Sequence, residues 1–210
     1  MSAAAGLPRL ILLTDRSQLR LGRGLVRTVA ECVSAGLTHV VVREHDLDPH
    51  ARHGLITALA EIDDLTVISS RTDDPAAHGV HLAADGPCNA ELLPLPESND
   101  GAEEVITPRY IVGRSCHSAV EVKQAAGEGA DYATLSPYAE TASKPGYGPP
   151  IEPAELAGHE IPAFALGGIT RDNAAAAREA GAYGVAVMGA VMRAADPAAE
   201  VAALLTAVGR

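Results

Sequence analysis

Tryptophan is absent from this 210-residue sequence, and aromatic residues make up only 3% of it. A core drawn from such a composition has to be aliphatic, built of Leu, Val, Ile and Ala, which suits parallel strands buried on both faces. The same shortage argues against a nucleic-acid surface that stacks bases on rings. Positive charge is also scarce: 16 Lys and Arg stand against 27 Asp and Glu, for a net charge of −11. That balance disfavours polyanions and acidic membranes as partners, but not one small phosphate held by backbone amides. The three cysteines, Cys32, Cys88 and Cys116, show neither metal-ligand spacing nor a disulfide framework and read as reduced thiols. No apolar run approaches the ~20 residues of a membrane span. The opening MSAAAGLP lacks the basic and apolar regions of a signal peptide. A cytoplasmic protein with no nucleic-acid or membrane partner is expected, and a homo-oligomer is left open.

Hydrophobic residues, 47% of the chain, fall in short runs separated by Gly, Pro and charged clusters. Runs of this length between turn signals read as buried strands. Strands are expected at 10–14, 39–42, 65–68, 80–82, 110–112, 132–135, 163–166 and 184–187. Helical spacing marks 25–35, 49–62, a segment from Ser118 to Gly127 or Gly129, and 197–208. One helical turn fits 75–78, a short helix fits 153–156, and 83–107 reads as loop with a helix near 89–93. Ser118 with Glu121 three residues on is a capping-box pattern. The stretch 136–150 is a long loop rich in Gly, Pro, Ser and Thr, of the kind that carries function. Eight βα units without a composition break predict one domain, 1–210, folded as a (β/α)₈ TIM barrel. A doubly wound open sheet is weaker, because Thr14-Asp15-Arg16 follows the first strand where a Gly-rich dinucleotide loop would stand.

The most informative stretch is 162–192, PAFALGGITRDNAAAAREAGAYGVAVMGAVM. Two apolar strands each run straight into glycine, Gly167-Gly168 in one case and Gly189-Ala190 in the other. Glycine lets a ligand approach the backbone, and unpaired N–H groups at a helix start favour an anion. Barrels commonly hold phosphate after strands seven and eight. The candidate phosphate site is therefore Gly167, Gly168, Met188, Gly189 and Ala190.

Barrel chemistry sits at the carboxyl ends of the strands. Those ends read LLTDR, VVREH, GVHLAAD, GRSCHS, GADYATLSPYAETASKPG, ALGGIT and GVAVMGAV in order. In this set the chain resembles the family of thiamine phosphate synthases and related TenI-type thiazole tautomerases, over nearly its whole length. The resemblance implies an enzyme of thiamine biosynthesis whose partner is a phosphorylated thiazole or thiamine-related ligand. It also exposes departures. The synthase pattern after strand two is Gln-x-Arg-Glu-Lys; here Arg43 and Glu44 stand, but Val41 and His45 replace the Gln and the Lys. The family's Asn-Asp after strand three is Ser69-Ser70. Its Gly-Gln-x-Asp after strand four is Ala83-Ala84-Asp85-Gly86. Carboxylate-held Mg²⁺ with a Lys and an Arg is a means of stabilising a departing diphosphate. Those groups are depleted here, while the phosphate glycines are intact.

The resemblance therefore points first to a thiazole tautomerase. Such an enzyme moves a proton from ring C2 of a carboxythiazole phosphate to its exocyclic carbon, with His117 as acid and base. No cofactor is then expected. The second reading is thiamine phosphate synthase, a Mg²⁺-dependent transferase; the third is a non-catalytic regulator binding the same ligands. Arg43, Ser115, Thr141, Ser143 and Lys144 are the candidate substrate-binding residues. Arg43 reads equally as a bidentate anion clamp or as a rim ion pair with Glu44 or Asp15. His45 reads as an exposed replacement. Cys116 and His117 point apart on extended backbone, which argues against a Cys–His nucleophile.

Overall fold

In the computed structural model, which describes residues 6–20, 22–86, 110–140 and 149–209, eight parallel strands close into a barrel in sequence order. They are β1 (Leu10–Leu13), β2 (His39–Val42), β3 (Thr66–Ser70), β4 (Gly79–Leu82), β5 (Ile111–Cys116), β6 (Tyr132–Leu135), β7 (Ala163–Leu166) and β8 (Gly184–Val187). The ring shuts where β8 pairs with β1, Leu10 beside Val185 and Leu12 beside Val187. Six helices are described: α1 (Leu25–Ser34), α2 (Pro49–Ala60), α3 (Ala119–Gly127), α4 (Ala174–Glu179), α5 (Gly189–Met192) and α6 (Pro197–Val208). The (β/α)₈ expectation is correct, and the open sheet is excluded by the β1–β8 ladder. Among the described residues no helix is long and apolar enough to cross a membrane.

Local chemistry accounts for the helix ends. Asp48 and Asp196 cap α2 and α6, each accepting backbone N–H bonds while Pro49 or Pro197 occupies the first turn. After α1, Gly36 takes φ 105°, and the amides of Gly36 and Leu37 return to the carbonyls of Val33 and Cys32. The capping box at α3 forms with a shift of one residue. Ser118 Oγ accepts from the Glu121 amide, but Glu121 Oε2 receives the His117 amide at 2.7 Å rather than that of Ser118.

Some expectations are corrected. Residues 75–78 form a turn and not a helical turn. β3 and β5 run further than their apolar stretches, to Ser70 and Cys116. Gly113, Ser115 and Cys116 are therefore strand residues. The helix expected near 89–93, and most of 83–107, lies outside the described residues.

The pleat sends alternate side chains in and out. Outward residues such as Leu10, Leu12, Val40, Val42 and Val67 pack under the helices with Val29, Ile56, Leu59, Val201 and Leu204. That outer shell is aliphatic, as the composition requires. The barrel interior departs from it, because Tyr132 and Phe164 sit at its centre, both fully buried, with Ile11, Leu13, Val41, Ile68 and Ala186 around them. The two rings meet edge to face, centroids 5.6 Å apart. They fit because the neighbouring strands bear glycine there. A Cβ on Gly113 would lie 2.5 Å from the Tyr132 hydroxyl, and one on Gly184 would lie 2.7 Å from the Phe164 ring and 2.5 Å from the Arg9 carbonyl. The only phenylalanine and one tyrosine are thus placed where eight converging strands leave a wide central space.

Gly184→Ala is expected to destabilise the protein by about 1–3 kcal/mol through overpacking, lowering the thermal midpoint by roughly 2–4 °C per kcal/mol. Gly54→Ala, mid-α2 with nothing within 4 Å of its Cβ position, should instead raise stability by about 0.5–1 kcal/mol. Calorimetric melting of the two variants beside wild type checks both signs.

Candidate active site

The carboxyl ends of the strands surround a cavity of about 660 Å³. On the β1–β3 side, Thr14 prolongs the ladder: its amide bonds Val41 O and its Oγ1 accepts the Arg43 amide, both at 3.0 Å. Buried Arg52 fastens β2 to β3, giving Nη2 to Val42 O at 2.9 Å and Ser70 O at 3.0 Å, and Nη1 to Thr72. These clasps hold the backbone that carries Arg43 and Arg71. Arg71 takes φ 68°, an uncommon conformation for a side-chain-bearing residue, and its amide bonds His81 O at 2.8 Å.

The rim ion pair expected as one role for Arg43 belongs to another cation. Glu44 and Asp46 both engage Arg16, at 3.0 and 2.6 Å. Arg43 instead crosses the mouth to β8, its Nη1 2.7 Å from the thioether of Met188, a weak acceptor. Arg193, which sequence reasoning missed, lies with its guanidinium over Gly189, where a Cβ would collide with it, and also bonds Gln18. Its spacing from Gly189 was the available signal, since residues i and i+4 share a helix face. Arg71, read only as a strand-end residue, lines the same cavity. Three guanidiniums thus face one opening whose lining carboxylates are Asp85 and Glu140. In a chain of net charge −11, this local excess attracts an anion. His45 is exposed, as expected, and sits 3.4 Å from Ser70 Oγ. Desolvation, with the charges of Arg71, Arg43 and Arg52, holds its pKa down to about 4.

The glycine loops lie across the mouth. Gly167 and Gly168 both have positive φ, 92° and 66°. A Cβ at Gly168 would lie 2.6 Å from Glu140 O and 2.7 Å from Ala139 O, so the 137–140 segment packs directly on this loop. The amides of Tyr138 and Ala139 tie it to Leu166 O and Gly167 O. The expectation that helix starts line the cup holds at Gly189, where α5 begins, and not at Gly167-Gly168. α4 begins only at Ala174, Asn173 bracing the loop between by bonding Gly168 O and the Thr170 amide, and α5 is a single turn. The amides of Gly168, Gly189 and Ala190 have no protein acceptor among the described residues.

β5 carries Ser115 and, just past its end, His117. Both line the cavity. His117 Nδ1 lies 2.9 Å from the Ser136 carbonyl. A carbonyl only accepts, so Nδ1 bears the proton and the neutral ring's lone pair is on Nε2. Cys116 faces the other way, buried, and burial pushes its thiol up to about 12; it is no nucleophile at neutral pH. Ser115 Oγ lies 3.0 Å from His81 Nε2; His81 was read only as part of a family pattern. Thr141, Ser143 and Lys144 lie outside the described residues, so the structure bears on them only through Glu140, which precedes them and touches the Gly168 loop.

The family's Mg²⁺ would need carboxylates at the ends of β3 and β4. The residues there do not fit it. Ser69 is fully buried with its hydroxyl given to Thr72 O at 2.5 Å, Ser70 offers a hydroxyl beside His45, Asp73 and Asp74 are engaged by Tyr110 and His53, and Asp85 is left as the carboxylate there that lines the cavity. Among the described residues no three His, Cys, Asp or Glu cluster as a metal site.

Comparison with known proteins agrees with this architecture. The family described as thiamine monophosphate synthase matches residues 10–191. A putative thiamine-phosphate synthase of Geobacter sulfurreducens is 34% identical over 207 residues, covering 93% of this chain and 92% of that protein. The thiamine-phosphate synthase of Salinispora tropica is 32% identical over 215 residues, covering 97% and 99%. A thiamine phosphate pyrophosphorylase structure from Pyrococcus furiosus superposes with a TM-score of 0.77 at 25% identity, over 95% of each chain. With its closed barrel and a family match over most of its length, this chain belongs to the thiamine monophosphate synthase family, which includes the TenI-type proteins.

Proposed function

We propose that this chain is an enzyme of thiamine biosynthesis that binds a phosphorylated thiazole in the barrel mouth and shifts a proton on its ring. The names of its relatives support the transferase reading, thiamine phosphate synthase, more directly than this tautomerase reading. The observation that carries the tautomerase is the division of chemistry across the mouth. A histidine with its Nε2 lone pair stands at the end of β5, while the ends of β3 and β4 offer Ser69, Ser70 and Asp85 where a Mg²⁺–diphosphate would need carboxylates.

In this reading the loops at Gly167-Gly168 and at Met188-Gly189-Ala190 hold the phosphate, with Arg193 adding charge. Arg43 neutralises the ring carboxylate, exchanging its thioether contact for a charge-assisted bond. His117 Nε2 removes the ring C2 proton, and the resulting imidazolium is stabilised by Ser136 O at Nδ1. The same nitrogen returns a proton to the exocyclic carbon, and the ring becomes aromatic. Both halves need a heavy-atom approach of about 2.6–3.2 Å, directly or through one water. Thr141, Ser143 and Lys144 belong to the proposal as further ligand contacts from the loop after β6.

His117→Ala is expected to slow aromatisation of carboxythiazole phosphate by roughly 10²–10⁴-fold, with little change in affinity, followed by ultraviolet absorbance or by deuterium uptake in D₂O. Full activity in that variant, or no acceleration by wild type, sinks the tautomerase. Arg193→Gln should weaken binding of the phosphorylated thiazole roughly tenfold and leave the unphosphorylated alcohol unaffected in calorimetry. EDTA should leave turnover unchanged. Turnover of pyrimidine diphosphate and thiazole phosphate to thiamine phosphate that falls with EDTA and returns with Mg²⁺ would establish the transferase instead.

A further inference from the structure

Inside the barrel, below the cavity floor, three strands contribute a polar line through an otherwise apolar interior. Tyr132 on β6 is fully buried, and its hydroxyl lies 3.0 Å from His81 Nδ1 on β4. His81 Nε2 lies 3.0 Å from Ser115 Oγ on β5 and 3.5 Å from buried Thr134 Oγ1. The imidazole and phenol rings stack, 5.5 Å apart at 29°. Ser115, at the upper end, is half-buried and lines the cavity. A buried polar chain of this kind is retained only when its members satisfy one another, since each unpaired group costs free energy.

The direction of the bonds follows from an inventory of donors. Burial keeps His81 neutral, with its pKa lowered to about 4, and raises that of Tyr132. A neutral imidazole has one N–H and one lone pair. The Tyr132 O–H is a buried donor, and among the described residues its hydrogen-bond partner is His81. If His81 presented N–H at Nδ1, that phenolic proton would be left without an acceptor, an unfavourable arrangement in a dry interior. Tyr132 therefore donates, Nδ1 accepts, and Nε2 bears the proton. Nε2–H then donates to Ser115 Oγ, so the serine's own hydrogen turns away from His81 toward the cavity.

We propose that Tyr132 and His81 are positioning residues that lock the Ser115 hydroxyl as a hydrogen-bond donor to the ligand. The ligand atom it takes is an acceptor on the ring or its carboxylate. Resting on the proposed reading that a phosphorylated thiazole occupies the mouth, this deepens it. Ser115 near the end of β5 and His117 just past it both line the cavity. A ring anchored on Ser115 presents its next atoms to His117. Gly113 completes the device, since its missing Cβ leaves the space that the Tyr132 hydroxyl occupies.

The test has two parts. First, long-range ¹H–¹⁵N correlation on ligand-free wild-type protein labelled at histidine, with His81→Gln for assignment, reads the tautomer directly. His81 is expected as the Nε2–H form at neutral pH; an Nδ1–H form overturns the relay whatever the protein binds. Second, Tyr132→Phe and Ser115→Ala are compared singly and together for affinity toward thiazole phosphate by calorimetry. Each is expected to weaken binding roughly three- to tenfold, and the double variant no more than Ser115→Ala alone, because the relay acts through that hydroxyl. Ser115→Thr should restore affinity. Multiplying effects, or Ser115→Ala binding like wild type, also overturns the relay. Absence of thiazole phosphate binding by wild type would refute the proposed function, while the tautomer, read without ligand, still decides the relay.

Discussion

Pairing between β8 and β1 is the constraint on which the rest of this molecule depends. Closing the sheet removes both edges, so every strand is hydrogen-bonded on two sides and every carboxyl end arrives on one rim. Residues as far apart in sequence as Arg43 and Met188 then lie in contact across the mouth. Without closure, Arg16 and Glu44 would still be neighbours at the ends of the paired strands β1 and β2, but Arg193 and Gln18 would not.

Closure also sets a packing problem at the barrel axis, and the chain solves it with very few residues. Its only phenylalanine, Phe164, and one of its five tyrosines, Tyr132, fill the centre, while glycines on adjacent strands make room for them. Using tyrosine there introduces a buried hydroxyl that must be paired. The partner is His81, and through it the packing of the core is coupled to Ser115 in the cavity.

The mouth has two unlike sides. Across β1–β3, clasps from Thr14 and Arg52 fix the backbone near Arg43 and Arg71. Across β7–β8, neighbouring backbone at 139–140 and the Arg193 guanidinium occupy the space that side chains at Gly168 and Gly189 would take. Between them β5 and β6 supply His117 and Ser136. Positive charge collects here against the sign of the whole protein, since the acidic residues at the β2 end are spent on Arg16.

Hydrophobic spacing alone determined the architecture. β2, β6, β7 and β8 fall on the residues their apolar runs mark, because each is a short and almost wholly buried segment, and α6 falls where helical spacing puts its buried face, Val201, Leu204, Leu205 and Val208. The glycine loops, His117 and Ser115 were legible as residues at strand ends, and the family was legible in their order. The polar ends of β3 and β5 were not, because Ser69, Ser70 and Ser115 carry no hydrophobic signal and are held by ladder bonds to the neighbouring strands, with Ser69 bonding Thr72 O and Ser115 meeting His81 on β4. Nor could the sequence assign Arg43 to Met188 instead of Glu44, bring Arg193 over Gly189, or join Tyr132 to His81. Those are contacts between elements, and pattern along one strand or helix says which face is buried but not what meets it. Only the closed barrel decided that.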